Sequence, residues 1–324
     1  MLKKTLIKLT KLILFVLVYS FSYSQNIGIF FTHKDNVLEK IISQINDSKK
    51  TIHICVFEIN HEKIIESLIK AKKRGIDVKM VIDDRKKNSK EVNLLRTNKI
   101  PIVFDNKRSY MHNKIYIFDQ ETVITGSLNL TYNDINNNRN NIVVIKDNKL
   151  ADRYEEEFRE MFDNKIFGKG EKSKNYYFKV DETDINVFFS PEDNVDRIII
   201  DTIGKAKKSL KIAAFALTHK KIIEKIREIS KKTSVEIILD KSQSRNKDSI
   251  YQENDLKKLI KIYNGKGKMH NKFIIIDDKK VITGSFNFSK NATEKNDENI
   301  LIITDNNIAK LYEEEFKRIE KDSE

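Results

Sequence analysis

Apolar positions along the chain switch between two rhythms. The stretch TIHICVFE, Thr51 to Glu58, is almost continuously apolar and reads as a strand. From His61 onward the spacing changes: Ile64, Ile65, Leu68 and Ile69 fall on one face of a 3.6-residue period and predict an amphipathic helix. A second strand ends in Asp83, a polar loop and short helix follow, and a pair of strands brackets MHNKIYIFDQETVITGSLN, Met111 to Asn129. A last strand and helix close the unit. The same order then returns, beginning with a strand at Ser209 to Phe215. HEKIIESLIKAKKRGIDVKMVID (61–83) is echoed by HKKIIEKIREISKKTSVEIILD (219–240), and LADRYEEEFREMF (150–162) by IAKLYEEEFKRIE (308–320). The bracketed motif is echoed by MHNKFIIIDDKKVITGSFN (269–287). A period of 158 positions, 270 less 112, is the size of a domain and far beyond that of a solenoid repeat. Alternating strands and helices make each copy an α/β sandwich. The Gly-, Lys- and Ser-rich stretch NKIFGKGEKSKNYYFKVDET marks the join, which places the domains at 25–165 and 184–324 with a linker at 166–183.

The first residues break this pattern. Four lysines precede an apolar run from Leu12 to Val18, and small residues follow at Ser22 and Ser24. Basic, apolar and small segments in that order predict a secretory signal peptide over 1–24, and hence a secreted, periplasmic or cell-envelope protein. The run is short for a membrane span, which needs about 20 apolar residues. Of 324 residues 39% are hydrophobic, enough for two cores. The net charge is +13, and loss of the four leader lysines still leaves +9. Such a surface favours anionic partners, nucleic acid or acidic lipid head groups, although lysines that merely solvate helix faces give the same total. Cys55 is the only cysteine and sits in an apolar run, which excludes an internal disulfide and any cysteine-rich metal site.

The chemistry lies in the repeated motif. Side chains of a strand alternate between faces, so His112 and Lys114 project to one side and Asn113, Ile115 and Ile117 to the other; His270 and Lys272 repeat the arrangement. A His and a Lys opening an otherwise aliphatic strand should line a cleft. Asp119 and Asp277 close the strands, and TGSLN and TGSFN follow as turns whose glycine frees the backbone and whose Ser and Asn offer hydrogen bonds. One such histidine is commonly a core residue; two in matched settings are not.

Both copies fit HxKxxxxDxxxxxxGSxN, and on those residues the chain resembles the phospholipase D superfamily, over nearly all of its length beyond the leader. Each copy most resembles the compact Nuc-type endonucleases and cardiolipin-hydrolase-like proteins, which work as homodimers. The resemblance implies a fused, pseudo-twofold dimer of α/β/α sandwiches with one active site at the interface, a monomer in solution, and metal- and cofactor-independent cleavage of an anionic phosphodiester. Phosphodiester hydrolysis needs a nucleophile, an acid for the leaving oxygen, and donors around the phosphoryl oxygens. One copy cannot place nucleophile and acid on opposite sides of phosphorus, whereas two can.

In family terms the catalytic set is His112, Lys114, Asp119, His270, Lys272 and Asp277. One histidine forms a phosphohistidine and the other protonates the leaving oxygen. Lys114, Lys272, Asn129 and Asn287 hold the phosphoryl oxygens with Ser127 and Ser285, and the two aspartates support. NDENILIITD matches the family pattern in which a Glu before Asn contacts the motif histidine, here Glu298. Copy one has Asn140 there, with Asp134 as a nearby acid that could replace it. Because a carboxylate favours a protonated imidazole, the expectation is His270, with Glu298, as the acid and His112 as the nucleophile. Lys107, Arg108, Lys266 and Lys268 precede the motifs and could steer anionic substrates. His61 and His219 begin helices and are expected as first-turn residues without a chemical role, although they could rim the cleft. The leading function is an exported phospholipase D-type hydrolase of phospholipid head groups with peripheral membrane contact. The alternatives are a metal-independent nuclease, a cardiolipin synthase-type phosphatidyltransferase, and a non-catalytic binding scaffold; two intact motifs disfavour the last.

Overall fold

A computed structural model describes residues 26–105, 109–172 and 175–324. The predicted leader, Lys107 and Arg108 therefore lie outside the described residues. Two mixed sheets carry the two copies. The first contains β1 (Ile27–Phe31), β2 (Thr51–Val56), β3 (Asp77–Ile82), β4 (Ile102–Phe104), β5 (Lys114–Phe118), β6 (Thr122–Gly126) and β7 (Asn141–Lys146), in the order β1-β7-β6-β5-β2-β3-β4. The second contains β8 (Tyr177–Val180), β9 (Thr183–Ser190), β10 (Ser209–Ala214), β11 (Ser234–Asp240), β12 (Ile260–Tyr263), β13 (Lys272–Ile276), β14 (Lys280–Gly284) and β15 (Glu298–Thr304), in the order β12-β11-β10-β13-β14-β15-β9-β8. Strands β2, β3 and β4 are parallel, because helices carry the chain back between them; β5 joins β2 antiparallel.

Local rules account for the crossover helix Glu62–Lys73. Ile64, Ile65, Leu68 and Ala71 are buried along one face, Lys70, Lys72 and Lys73 sit in the last turn where the helix dipole favours cations, and Gly75 ends it at a φ of 90°. Its counterpart, Lys220–Ile229, buries Ile222, Ile223, Ile226 and Ile229 in the same way.

The alternation of β5 divides its residues between two cores. Tyr116 and Phe118 pack with the outer helices of copy one, whereas Met111, Ile115 and Ile117 belong to a core that runs on into copy two, through Val187, Phe189, Phe273, Ile275 and Leu301. The two C-terminal helices, Asn148–Phe162 and Asn306–Glu320, supply Tyr154, Phe158, Tyr312 and Phe316 to that same core. The α/β/α layers are thus as expected, but the middle is held in common. Each buried large apolar side chain stabilises by about 1.5–3 kcal/mol, so parting the copies would expose a core, not a wet contact surface. Polar groups fix the register across it. Arg139 meets Glu315 at 3.3 Å and Asp322 at 2.6 Å, and Asn141 Nδ2 donates to Thr283 Oγ1 and the Tyr312 hydroxyl.

The stretch read as linker is partly built into copy two. Tyr177–Val180 forms the edge strand β8 against β9, and Phe167 is buried in the common core. Its GKGEKS composition signals a turn, but the following YYFKV alternates and pairs. With one core spanning both copies, urea unfolding followed by circular dichroism and by tyrosine fluorescence is expected to give one coincident transition; two separated midpoints would show independent domains.

Candidate active site

The site is built where the copies meet. Met111 and Asp297 form an isolated parallel bridge across the seam, and Arg139 and Met269 form its pseudo-symmetric partner. Through these bridges the His112 N–H donates to the Asp297 carbonyl at 3.0 Å and the His270 N–H to the Arg139 carbonyl at 2.9 Å. Each histidine's backbone is therefore fixed by the opposite copy. From behind, Asp83 accepts the Met111 N–H (3.1 Å) and Asp240 the Met269 N–H (2.8 Å). These are the aspartates that end β3 and β11, visible in the sequence as repeated positions but without an assigned role there.

The rings are held the same way. His112 Nδ1 lies 2.7 Å from Glu298 Oε2, and His270 Nδ1 lies 2.9 Å from Asn140 Oδ1. This corrects the expected pairing, because Glu298 contacts the histidine of the other copy and not its own. The reason is geometric: the residue opening β15 points across the seam, as does its counterpart before β7. In both cases the acceptor fixes the proton on Nδ1 and leaves Nε2 for the cleft. Phe57 and Phe215 pack edge-on against the rings, with centroids at 5.7 Å from His112 and 5.0 Å from His270. Sequence reasoning missed this pair, although both occupy the same repeat position just past β2 and β10.

His112, His270, Asn129, Phe57, Phe215, Asp134 and Lys268 line one cleft of about 320 Å³. Lys114 and Lys272 lie beneath it, at 0% and 1% exposure, each donating from Nζ to the carbonyl of its own histidine at 2.7 and 2.6 Å. Burial lowers the Lys114 pKa to about 8, and burial together with the Lys114 charge pushes Lys272 well down. Burial also raises Glu298 to about 7 against the pull of Lys114. Both histidines are held well below the usual imidazole value, first by burial and then by the neighbouring lysines.

Other expected residues fall elsewhere. Ser127 and Ser285 are fully buried and do not face the cleft; Ser127 Oγ donates to Asn140 Oδ1 and Ser285 Oγ to Glu298 Oε2, so they hold the residues that hold the histidines. Asn287 is not among the cleft-lining residues, whereas Asn129 is. Asp119 and Asp277 sit at the far ends of β5 and β13. There the Asp119 carboxylate accepts the N–H groups of Lys49, Lys50 and Thr51, and Asp277 those of Lys207, Lys208 and Ser209. A strand of five residues separates them from the histidines, so each carboxylate anchors the turn before β2 or β10 and does not reach the cleft. His61 and His219 are buried helix N-caps outside the cleft lining. Gly126 and Gly284, at φ 142° and 151°, are required: a Cβ would lie 2.3 Å from the Asn141 carbonyl oxygen and 2.2 Å from that of Asn299.

Among the described residues, Asp83, Asp84 and Asp105 bring carboxylate oxygens within 4.8 Å of one another. Asp83 is engaged by Arg85 and by the Met111 N–H, Asp105 accepts the Asp84 N–H, and burial raises Asp105 to about 6.

With this geometry in view, comparison with known proteins is specific. The family described as "Cardiolipin synthase, PLD-like domain" matches twice, at residues 41–162 and 199–320, and the chain belongs to that family. It is similar to a phospholipase D of Rickettsia prowazekii, 32% identical over 159 residues, covering 48% of this chain and 78% of the relative. It is also similar to the human mitochondrial cardiolipin hydrolase, 28% identical over 133 residues, covering 40% of this chain and 53% of the relative. Among solved structures, the phosphatidylserine synthase of Haemophilus influenzae superposes with a TM-score of 0.73 at 17% identity, over 93% of this chain and 88% of that one, which shows a common fold. The protein is therefore a phospholipase D-superfamily member of the phosphodiesterase or phospholipid-modifying type.

The placement of Asp119 is testable. Burial alone would raise its pKa, but the N–H donors of Lys49, Thr51 and Lys50 outweigh burial and lower it. A lowered carboxylate stabilises fully above the unfolded pKa near 3.8 and loses that contribution as pH falls through the folded value. Asp119→Asn should cost about 1–2 kcal/mol at neutral pH, allowing for solvent contact, and almost nothing in acid. The kcat of the folded variant should stay near wild type; a collapse of kcat without a melting shift would return Asp119 to the chemistry.

Proposed function

We propose that the protein is an exported phospholipase D-type phosphodiesterase that hydrolyses phospholipid head-group phosphodiesters through a phosphohistidine intermediate. The observation that carries this reading is that both motif histidines share one cleft, each with Nδ1 engaged from the opposite copy and Nε2 free for it. The names of the relatives, a phospholipase D and a cardiolipin hydrolase, support phospholipid as the substrate class. Lys268 at the rim and the basic surface would draw the protein to anionic membranes as a peripheral, monomeric enzyme.

In this reading the carboxylate decides the division of labour. His112, in contact with Glu298, is the histidine better able to hold a second proton once a bound phosphodiester offsets the lysine charges, and it serves as general acid. His270, in contact with the neutral amide of Asn140, stays unprotonated and attacks. Its Nε2 forms a bond to phosphorus as the bond to the leaving oxygen breaks, and the proton on His112 Nε2 moves to that oxygen. Neutral His112 then takes a proton from water, which attacks phosphorus and releases His270. This exchanges the roles expected from the sequence, because Glu298 lies on the other ring. Lys114 and Lys272 supply positive charge below the phosphoryl group, with the Asn129 amide beside it.

The protein should be assayed in chelator against phosphatidylcholine, phosphatidylglycerol, cardiolipin and single- and double-stranded DNA. Head-group release without nicking is expected; nicking without head-group release would make it a nuclease. His112→Ala and His270→Ala should each lower turnover about 10²- to 10⁴-fold, and acid-quenched wild type should retain substrate phosphorus on protein. Since Lys114 carries its charge only below its pKa of about 8, kcat/KM should fall as pH rises through that value. A flat profile to pH 10 would remove the buried lysine from phosphate binding.

A further inference from the structure

The two half-sites place their carboxylate differently, and the differences at positions 134/292 and 140/298 compensate. Behind His112, copy two places Glu298, held by Ser285 Oγ at 2.7 Å and by Asn296 Nδ2 at 3.2 Å. Behind His270, copy one keeps the corresponding Ser127 and Asn138 but has Asn140 in place of the glutamate. Asn138 has nonetheless kept a carboxylate. Its Nδ2 donates to Asp134 Oδ1 at 2.6 Å, and Asp134 stands where copy two has Ala292. Asp134 Oδ2 accepts both the backbone N–H and Nδ2 of Asn129 at 3.0 and 2.8 Å, which turns that cleft amide. Asp134 is 5% exposed, lines the cleft, and has Oδ1 at 4.0 Å from His270 Nδ1.

We infer that Asp134 is the carboxylate that serves His270, a positioning and charge-supplying residue moved from position 140 to the short helix Tyr132–Asn136. This rests on the proposed phosphodiesterase reading for its role in turnover, and on the geometry alone for its action on His270. The relocation has a chemical consequence. Asn140 fixes the ring and its tautomer without an ion pair, so His270 remains a free nucleophile at rest. When Nε2 bonds to phosphorus while Nδ1 keeps its proton, the imidazole becomes cationic, and a carboxylate 4.0 Å away stabilises that charge. His112, with Glu298 in direct contact, is the ring better suited to take up a proton. The duplicated site is thus differentiated by moving one carboxylate a few ångströms.

The charged and titratable groups around His270 are Lys272, Asp134, Lys114 and His112, with Lys268 lining the same cleft, and the test isolates one of them. Titration of the imidazoles by NMR in full-length protein is tractable with six histidines, His270→Ala providing the assignment. Asp134→Ala is expected to lower the His270 pKa by about one unit or more and to cut phosphoenzyme formation and kcat/KM by about tenfold or more. The double variant Asp134→Ala/Asn140→Glu copies the Ala292 and Glu298 arrangement onto Ser127 and Asn138. It should restore the titration above wild type and recover most of the lost rate, which a merely structural role for Asp134 would not allow. Asp134→Asn keeps the size and removes the charge, so it reads the same shift if the double variant does not fold. An unchanged His270 titration in both single variants, or a folded double variant no different from Asp134→Ala, overturns the inference. Absence of turnover on every substrate in wild type would defeat the phosphodiesterase reading, while the titration would still decide the role of Asp134.

Discussion

Each histidine of the cleft is held, at its backbone N–H and at its ring Nδ1, by residues of the copy to which it does not belong. The rest of the structure follows from that exchange. A single copy contains the His, the Lys and the glycine-framed turn, yet it lacks the acceptors that set the tautomer of its own imidazole. The common core supplies the rigidity the exchange demands, since hydrogen bonds of 2.7–2.9 Å across a seam tolerate little sliding. Arg139 shows how closely packing and chemistry are joined. Its guanidinium is anchored on Glu315 and Asp322, its carbonyl receives the His270 N–H, and the next residue holds the ring.

Charge balance is the second constraint. Lys114 and Lys272 are buried close to Glu298 and Asp134, two amines among two carboxyl groups with two imidazoles above them. Buried charges persist only when paired and hydrogen-bonded. Here each lysine is tethered to a carbonyl, and burial still lowers its proton affinity. An entering phosphodiester adds negative charge above the lysines and favours their protonated forms.

Much of this was legible in the chain. The repeat, the α/β alternation and the face-splitting of HNKIYIF all follow from periodicity, and His112, His270 and Asn129 come together as the motif implied. Other residues were readable in kind but not in position. Ser127 and Ser285 make hydrogen bonds as the turn sequence suggests, yet they bind Asn140 and Glu298 and do not line the cleft. Asp119 and Asp277 sit within the motif and still serve a different end of the strand, because five extended residues carry them about 17 Å away.

By itself the sequence determined what is local or repeated: which segments form strands and helices, which face of each is apolar, and that two equal polar clusters exist. Those properties depend on dihedral preferences and on side-chain period. Only the tertiary structure decided which carboxylate faces which imidazole, that Phe57 and Phe215 wall the rings, and that the copies share a core. Those relations join residues from opposite copies, and their distances are set by how two sheets and two C-terminal helices dock. No spacing along one chain encodes that docking directly, which is why Glu298 reads as the partner of the nearer histidine and folds against the farther one.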